Sequence, residues 1–242
     1  MILKILSYNI HKGFTIGNRG FVLNEIRNAI REVDADILFL QEVVGDHTRL
    51  STLETAAQFE FLADSVWSHH AYGKNAVYTE GHHGNAILSK FPILEWKNKS
   101  ISTNRFEQRG FLTSKIHLAE INKEIVLANT HLDLIQRGRD IQSNIIIDVM
   151  TQWNDTPWIM VGDFNDWNKK IQRKIKKHLN VVEAFEHING KSALTYPSFI
   201  PVLSLDRIFI NECEVKYAKT LSGGIWRKLS DHLPLYAEIE VN

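Results

Sequence analysis

The feature that most constrains this chain is a series of short apolar runs, each closed by a polar residue with chemistry to offer. Trp158-Ile159-Met160-Val161 is one such run and reads as a short buried strand. Gly162 then lets the backbone turn, and Asp163 and Asn165 stand at the tip, two residues apart. A single tip of this kind is an ordinary strand exit, because Asp and Asn collect in turns for their local hydrogen bonds. Here the pattern repeats. Ile2 to Ile10 is a strand carrying Asn9 at its end, followed by a loop with Gly13, Gly17 and Gly20. Ile37-Leu38-Phe39-Leu40 runs into Gln41 and Glu42, and Gly84-Asn85 opens the strand Ala86-Ile87-Leu88. Glu124 to His131 ends in Thr130-His131, and Leu205-Asp206-Arg207-Ile208-Phe209-Ile210 carries a carboxylate near its start. Ser230-Asp231-His232 leads into a last strand from Leu235 to Val241. Strands laid side by side would bring these ends into one cleft.

Between the strands the period changes. Val22, Leu23, Ile26, Ile30 and Val33 recur at helical spacing, so a strand, a helix and a strand form a crossover unit. The same reasoning predicts a helix over 52–66 with Leu53, Ala56, Ala57, Phe61 and Leu62, and another over 136–153. The second buries a stripe of Ile141, Ile145, Val149 and Trp153. Residues 93 to 131 read as strand after strand, with a tight turn at Asn122-Lys123. Residues 67 to 83 are aromatic, polar and rich in histidine (His69, His70, His82, His83), at spacings that match no familiar zinc arrangement. They predict a loop lining a cleft. Lys169 to Lys177 holds six basic residues and no acid, while Ile171, Ile175 and Leu179 repeat every four. This is an amphipathic helix whose basic face is either simply solvated or an anchor for a phosphate polyanion or an anionic surface.

Composition narrows the classes. Lys plus Arg and Asp plus Glu number 28 each, so no global field exists to hold a polyanion. The one cysteine, Cys213, excludes an internal disulfide and fits a reducing compartment. No apolar run approaches the ~20 residues of a bilayer span. The chain opens directly as a strand, so a cytoplasmic monomer is the expectation. Hydrophobic residues make up 44% of the chain, enough for a sizeable core, and neither repeats nor linker-like stretches divide it. A single domain over 1–242 follows.

Asn9, Glu42, His131, Asp163, Asn165, Asp206, Asp231 and His232 form a set with few uses. Carboxylates and amides without cysteine suit a hard, oxygen-loving ion such as Mg²⁺, with Mn²⁺ as the alternative. Two histidines suit acid–base work near neutral pH. A Gly-x-Ser-x-Gly elbow, a nucleotide P-loop and a dinucleotide fingerprint are all missing from the sequence. Metal-assisted hydrolysis of a phosphate ester fits best.

The ordered motifs are Asn9, Gln41-Glu42, Gly84-Asn85, Thr130-His131, Gly162-Asp163-Phe164-Asn165, Leu205-Asp206 and Ser230-Asp231-His232 with Pro234. Together they resemble the endonuclease/exonuclease/phosphatase superfamily, in particular its small bacterial members. A histidine at position 131 resembles the deoxyribonuclease and sphingomyelinase side of that superfamily. The resemblance implies an α/β (α+β) four-layer sandwich of two packed mixed β-sheets flanked by helices. It implies Glu42 as the main Mg²⁺ ligand with Asn9 and Asp231 nearby. Asp163 and Asn165 would position water and phosphate, and His232 would meet the phosphate while Asp206 orients it. His131 would act as the general acid, with Glu80 the candidate carboxylate to orient it. Asn85 and Arg109 are candidate substrate contacts. The expected activity is a phosphodiesterase acting on nucleic acid. The alternatives are a phospholipid headgroup or small phosphorylated molecule as substrate, and an inactive binding module of the same fold.

Overall fold

The computed structural model describes residues 1–47, 57–63, 66–79, 81–105 and 107–242. In chain order the elements are β1 (Ile2–Asn9), α1 (Leu23–Val33), β2 (Ile37–His47), α2 (Gln58–Ala63), β3 (His69–Tyr78), β4 (Gly81–Ser89), β5 (Ile93–Ser100), β6 (Gly110–Leu118) and β7 (Lys123–His131). There follow α3 (Gln136–Met150), β8 (Trp158–Asp163), α4 (Lys170–His178), β9 (Val182–Glu183), α5 (Ala184–Asn189), β10 (Asp206–Asn211), β11 (Glu214–Thr220), α6 (Trp226–Leu229) and β12 (Leu235–Glu240). They build two six-stranded sheets, ordered β11-β12-β1-β2-β4-β3 and β5-β6-β7-β8-β10-β9. Each sheet is mixed, with one parallel pair joined through a helix: β1 with β2 through α1, and β7 with β8 through α3.

The near-continuous apolar runs follow from burial on both faces. Leu3, Ile5, Ile37 and Phe39 face Leu112, Leu127, Ile159 and Val161 in the core between the sheets. The alternate residues Leu6, Tyr8, Leu38 and Leu40 pack under Leu23, Ile26 and Ile30 of α1 and Leu62 of α2. On the other sheet Trp158, Met160 and Phe209 pack under Ile146 and Met150 of α3 and Ile171 and Ile175 of α4. The order helix, sheet, sheet, helix is the sandwich that the resemblance implies.

Three local readings change, and a fourth falls partly outside the described residues. Residues 67–83 are mostly a hairpin of β3 and β4 at the edge of the first sheet, not a loop; edge strands tolerate the polar and aromatic side chains that disguised it. Of the helix expected over 52–66, the described part is α2, while Leu53 and Ala56 lie outside the described residues. The helix after His131 buries more than the expected stripe: Ile145, Val149 and Trp153 pack partly buried against the core, Ile141 is 46% exposed, and Arg139, Gln142, Ser143, Ile146 and Met150 are buried. Its buried polar residues make internal hydrogen bonds, Gln142 Oε1 accepting the Asp133 N–H at 2.9 Å and Arg139 Nη1 donating to the Asp133 carbonyl at 3.1 Å. Gly162 is not a turn residue but an interior position of β8, with φ +151°, where a Cβ would overlap the Thr130 carbonyl of β7.

Candidate active site

Strand register assembles the site. Parallel pairing of β7 with β8 puts His131 beside Asp163, and antiparallel pairing of β8 with β10 puts Asp163 beside Asp206. In the other sheet Asn9 pairs with Gln41. Glu42 follows on an irregularity where the register of β2 against β4 shifts between Leu40 and Val43, and its φ is +55°. Such bulges re-aim a side chain, and this one sits at the cleft. A buried amide clamps the two sheets here: Asn129 Nδ2 donates to the Leu40 and Ala86 carbonyls at 2.9 Å each, and Gln41 Nε2 donates to Asn129 Oδ1 at 2.8 Å. Asn129 was not singled out from sequence, where it reads as one polar residue in a strand.

Asp163 is the hub. Its Oδ2 accepts from Asn9 Nδ2 at 3.2 Å and lies 3.5 Å from both His131 Nε2 and His232 Nε2. Its Oδ1 accepts the Asn165 N–H at 3.0 Å, and Asn165 Nδ2 donates to the Leu132 carbonyl at 3.0 Å. Burial raises the Asp163 pKa above the ordinary carboxylate range, partly offset by His232. His232 Nδ1 donates to Asp206 Oδ2 at 2.9 Å. Burial opposes its charged form, but Asp206 and Asp163 outweigh this and push its pKa up to about 10. His232 is therefore an imidazolium at neutral pH. The neighbour that competes for Asp206 in the sequence, Arg207, turns away to Gln172 Oε1 at 2.8 Å and the Asp166 carbonyl at 3.1 Å.

His131 has a partner the sequence did not supply. Its Nδ1 faces Arg109 Nη1 at 3.2 Å, and a guanidinium can only donate, so Nδ1 is the acceptor and Nε2 carries the proton. Burial and then Arg109 hold its pKa well below the ordinary histidine value, leaving the ring neutral. Arg109 Nε is 3.8 Å from the buried Asp133. The ring is thus oriented by a cation that a carboxylate in turn holds. Glu80 lies outside the described residues. Asn85 is buried and donates to the Gly110 carbonyl at 3.3 Å, next to Arg109.

The remaining carboxylates face the other side of the cleft. Glu42 Oε1 accepts from Asn9 Nδ2 at 3.4 Å, while Oε2 is 3.5 Å from Lys12 Nζ and 3.8 Å from His11 Nδ1. These contacts are longer than charge-assisted hydrogen bonds, about 2.7–2.9 Å, so the carboxylate is not saturated. Burial raises its pKa, but the surrounding basic groups, with Lys12 and the His232 imidazolium as the charged ones, lower it more, to about 2. Asp231 Oδ1 lies 3.5 Å from His11 Nδ1. An ionised, unsaturated carboxylate beside a second one and an amide is a donor set that fits a hard divalent cation. Among the described residues, Asp163, Asp206 and His232 form a group of possible ligand atoms all within 4.8 Å of one another. Those three are nearly fully buried and occupied with one another, so Glu42 and Asp231, each about one-fifth exposed, are the better placed to receive an ion from solvent.

Glu42, Arg109, His131, Asp163, Asn165, Asp231 and His232 all line one cleft of about 330 Å³. Leu134, Trp167, Tyr196, Leu203 and Leu205 complete its walls. A larger pocket, about 500 Å³, lies elsewhere against Trp96, Lys115 and Trp153 and contains none of these residues.

A two-sheet sandwich with carboxylates, amides and paired histidines at one cleft defines the class of phosphoester hydrolases with this fold. The sequence profile of the Endonuclease/Exonuclease/phosphatase family matches residues 6–232, and the chain belongs to that family. The chain is 41% identical over 243 residues to the "Uncharacterized protein YbhP" of Escherichia coli (strain K12), covering 98% of this chain and 96% of that one. Among solved structures it resembles an endonuclease/exonuclease/phosphatase from Beutenbergia cavernae, with a TM-score of 0.80 at 17% identity, over 100% of this chain and 72% of the other. It also resembles D. rerio TDP2 complexed with a single-strand DNA product, with a TM-score of 0.75 at 16% identity, over 99% of both chains. At such identities the likeness is one of fold. No helix among the described residues is long and apolar enough to cross a membrane.

Proposed function

We propose that this protein is a divalent-cation-dependent phosphodiesterase that hydrolyses its ester by in-line attack of water. The observation that carries this reading is the position of Asp163 Oδ2, within 3.5 Å of Asn9, His131 and His232 at once. Phosphoryl transfer is catalysed chiefly by positioning and by neutralising charge, and this is a preorganised set for both. Asp163, ionised above its raised pKa, accepts the proton of the attacking water while Asn165 holds that water and the phosphate. His232, already charged, meets a phosphate oxygen as a cation. His131, neutral with its proton on Nε2, donates a hydrogen bond to the leaving oxygen in place of the imidazolium acid that the resemblance implies. Glu42, Asn9 and Asp231 would hold Mg²⁺ or Mn²⁺, which supplies further charge neutralisation at the phosphate.

The leading expectation for substrate is nucleic acid, while the basic segment suits a duplex backbone and an anionic membrane surface about equally well. Four of the segment's six basic residues are occupied: Lys169 and Lys176 pair with Glu186 at 3.1 and 3.3 Å, Lys174 donates to the Asp140 carbonyl at 2.7 Å, and Arg173 Nη2 donates to the Asn168 carbonyl at 3.2 Å. The mouth of the cleft favours a second reading, an amphiphilic phosphodiester such as a phospholipid. Leu134, Ile135, Trp167, Phe199, Ile200 and Val202 are each more than half exposed. Leu134 and Trp167 line the cleft itself, and Asn168 Nδ2 ties their two loops together through Gln136 Oε1 at 3.3 Å. Phe199, Ile200 and Val202 form the tip of the segment between Tyr196 and Leu203, two further cleft residues that pair across it. An apolar rim of this kind offers little to a sugar–phosphate backbone and much to acyl chains. Exposed Arg137, Lys170 and Arg173 flank two of these loops and suit an anionic headgroup layer.

The deciding experiment is Mg²⁺-dependent turnover of supercoiled plasmid beside vesicles of phosphatidylglycerol, cardiolipin and sphingomyelin, with Asp163→Ala as control. Lipid hydrolysis that is lost in the variant, with plasmid intact, supports the amphiphile reading. Plasmid nicking lost in the variant, without lipid turnover, returns the protein to the nuclease reading. Activity that survives in Asp163→Ala would sink the proposed mechanism.

A further inference from the structure

The first sheet parts where its cleft residues stand. Asn9 pairs with Gln41, and the Ile10 N–H still donates to the Gln41 carbonyl at 3.1 Å. Past that bond the chain leaves β1 through the turn His11–Gly13, whose His11 N–H is held by Asn9 Oδ1 at 3.1 Å. On the other side of the gap β2 runs on through Glu42, paired with β4 alone.

One side chain from α2 fills the gap. Gln58 is 1% exposed; its Oε1 accepts the Val44 N–H at 2.9 Å and its Nε2 donates to the Lys12 carbonyl at 2.8 Å. A primary amide carries a donor and an acceptor, as a peptide group does, so Gln58 replaces the ladder that β1 no longer supplies. The fit is close, since a Cβ added at Gly13 would stand 3.1 Å from Gln58 Nε2. A second bond holds the same stretch of β2. The Tyr72 hydroxyl donates to the Val43 carbonyl at 3.3 Å, and the Tyr72 ring stacks on Phe59 of α2 with centroids 4.5 Å apart. Val43 and Val44 follow Glu42 directly, where the register of β2 against β4 breaks twice, between Leu40 and Val43 and between Val44 and Asp46. At such breaks the ladder is disrupted, and bonds from elsewhere must fix the backbone.

We propose that Gln58 is a positioning residue of the cation site. It sets the distance between the His11–Gly13 turn and β2, and with it the place where the Glu42 carboxylate meets Asn9 and Lys12. Gln58 is not among the residues that line the cleft, so it acts through the backbone on either side of it. The proposal rests on the reading that Glu42 holds a divalent cation. Removing a partner one layer behind a metal ligand typically weakens the metal by about 10–100-fold.

The test compares wild type, Gln58→Met, Tyr72→Phe and Gln172→Met. Metal-free protein is titrated calorimetrically with Mg²⁺ and Mn²⁺, and turnover of bis(p-nitrophenyl) phosphate is followed against cation concentration. Gln172 is the control, a glutamine 3% exposed whose Oε1 accepts from Arg207 instead. Gln58→Met should weaken cation binding by at least about tenfold and raise the half-saturating cation concentration in step. Saturating cation should then restore most of the wild-type turnover, which a general loosening of the fold would not allow. Tyr72→Phe should shift the same way by less, and Gln172→Met should melt earlier yet bind the cations as wild type does. Unchanged affinity in folded Gln58→Met, or an equal loss in Gln172→Met, would overturn the assignment and leave the phosphodiesterase reading intact. If Gln58→Met does not fold, Tyr72→Phe decides, because it deletes one hydroxyl and keeps the ring stack: weaker cation binding supports the proposal and unchanged binding overturns it. A wild type that binds neither ion would overturn both readings.

Discussion

His232 and Asp206, 26 residues apart in sequence, meet through a 2.9 Å hydrogen bond between Nδ1 and Oδ2, and both are nearly fully buried. The pair fixes which nitrogen of His232 faces Asp163 and keeps the ring charged. A histidine whose folded pKa lies above its unfolded value stabilises the fold fully below the unfolded value, about 6.5. That stabilisation is lost as pH rises toward the folded value of about 10. Replacing Asp206 with Asn should lower the His232 pKa and flatten this dependence. Urea unfolding at pH 6.5 and pH 9.5 would show a smaller loss in the variant than in wild type. Parallel losses would mean that Asp206 does not hold the charge.

Asp163→Ala, Glu42→Ala and His232→Ala should each lower turnover by about 10²–10⁴-fold, the range of a positioned acid–base or charge-stabilising group. Their circular dichroism should match wild type, since these side chains line the cleft and lie outside the hydrophobic clusters. Near-normal activity in all three folded variants would remove the cleft from the mechanism.

Arg109 controls the state of His131. Arg109→Ala removes the donor to Nδ1, so the His131 pKa should climb and the Nε2–H tautomer should no longer dominate. Nitrogen-15 imidazole spectra across a pH titration read both effects. Lysine should not restore the wild-type spectrum, because a guanidinium presents a planar fork of donors that an ammonium lacks. In wild type, the depressed His131 pKa contributes stability that is present above about pH 6.5 and lost as pH falls below it.

Gly162→Ala tests how closely β7 and β8 approach behind the site. With φ at +151° and the Thr130 carbonyl in the way of a Cβ, the substitution should cost at least about 2 kcal/mol of stability. Activity should fall as well, because Asp163 is the next residue. A denaturant midpoint equal to wild type would contradict the close approach.

The apolar rim can be tested away from the catalytic groups. Burying one aliphatic side chain is worth about 1.5–3 kcal/mol, so the combined variant Ile135→Ser, Ile200→Ser, Val202→Ser should weaken vesicle binding by at least about tenfold. Turnover on phospholipid vesicles should fall far more than turnover on bis(p-nitrophenyl) phosphate. Equal losses on both would point to a disturbed cleft instead of a docking surface.

Much of the site was legible because a strand buried on both faces writes itself as an apolar run, and the residue that ends the run is where the sheet meets solvent. Asn9, Asp163, Asp206 and His232 could be collected on that ground, and the register of the sheets brings them together. Where the signal failed, polarity hid the element. The residues of β3 lie at a sheet edge and carry histidine, tyrosine and lysine, so they read as a loop. In α3 most of the predicted stripe packs against the core, but Ile141 does not, and polar Arg139, Gln142 and Ser143 are buried instead because they hydrogen-bond with neighbouring backbone and side chains.

The sequence by itself determined the apolar runs and the helical stripes, and with them most of the strands, the helices over them and the set of polar residues that close the runs, because burial depends on local periodicity. Tertiary structure alone decided the pairings: Arg109 with His131, Asn129 between the sheets, and His11 between Glu42 and Asp231. Each joins residues brought together by strand register or by a left-handed turn. No local preference encodes which charge a neighbouring strand will present, and that neighbour is what sets the tautomer and charge on which the chemistry depends.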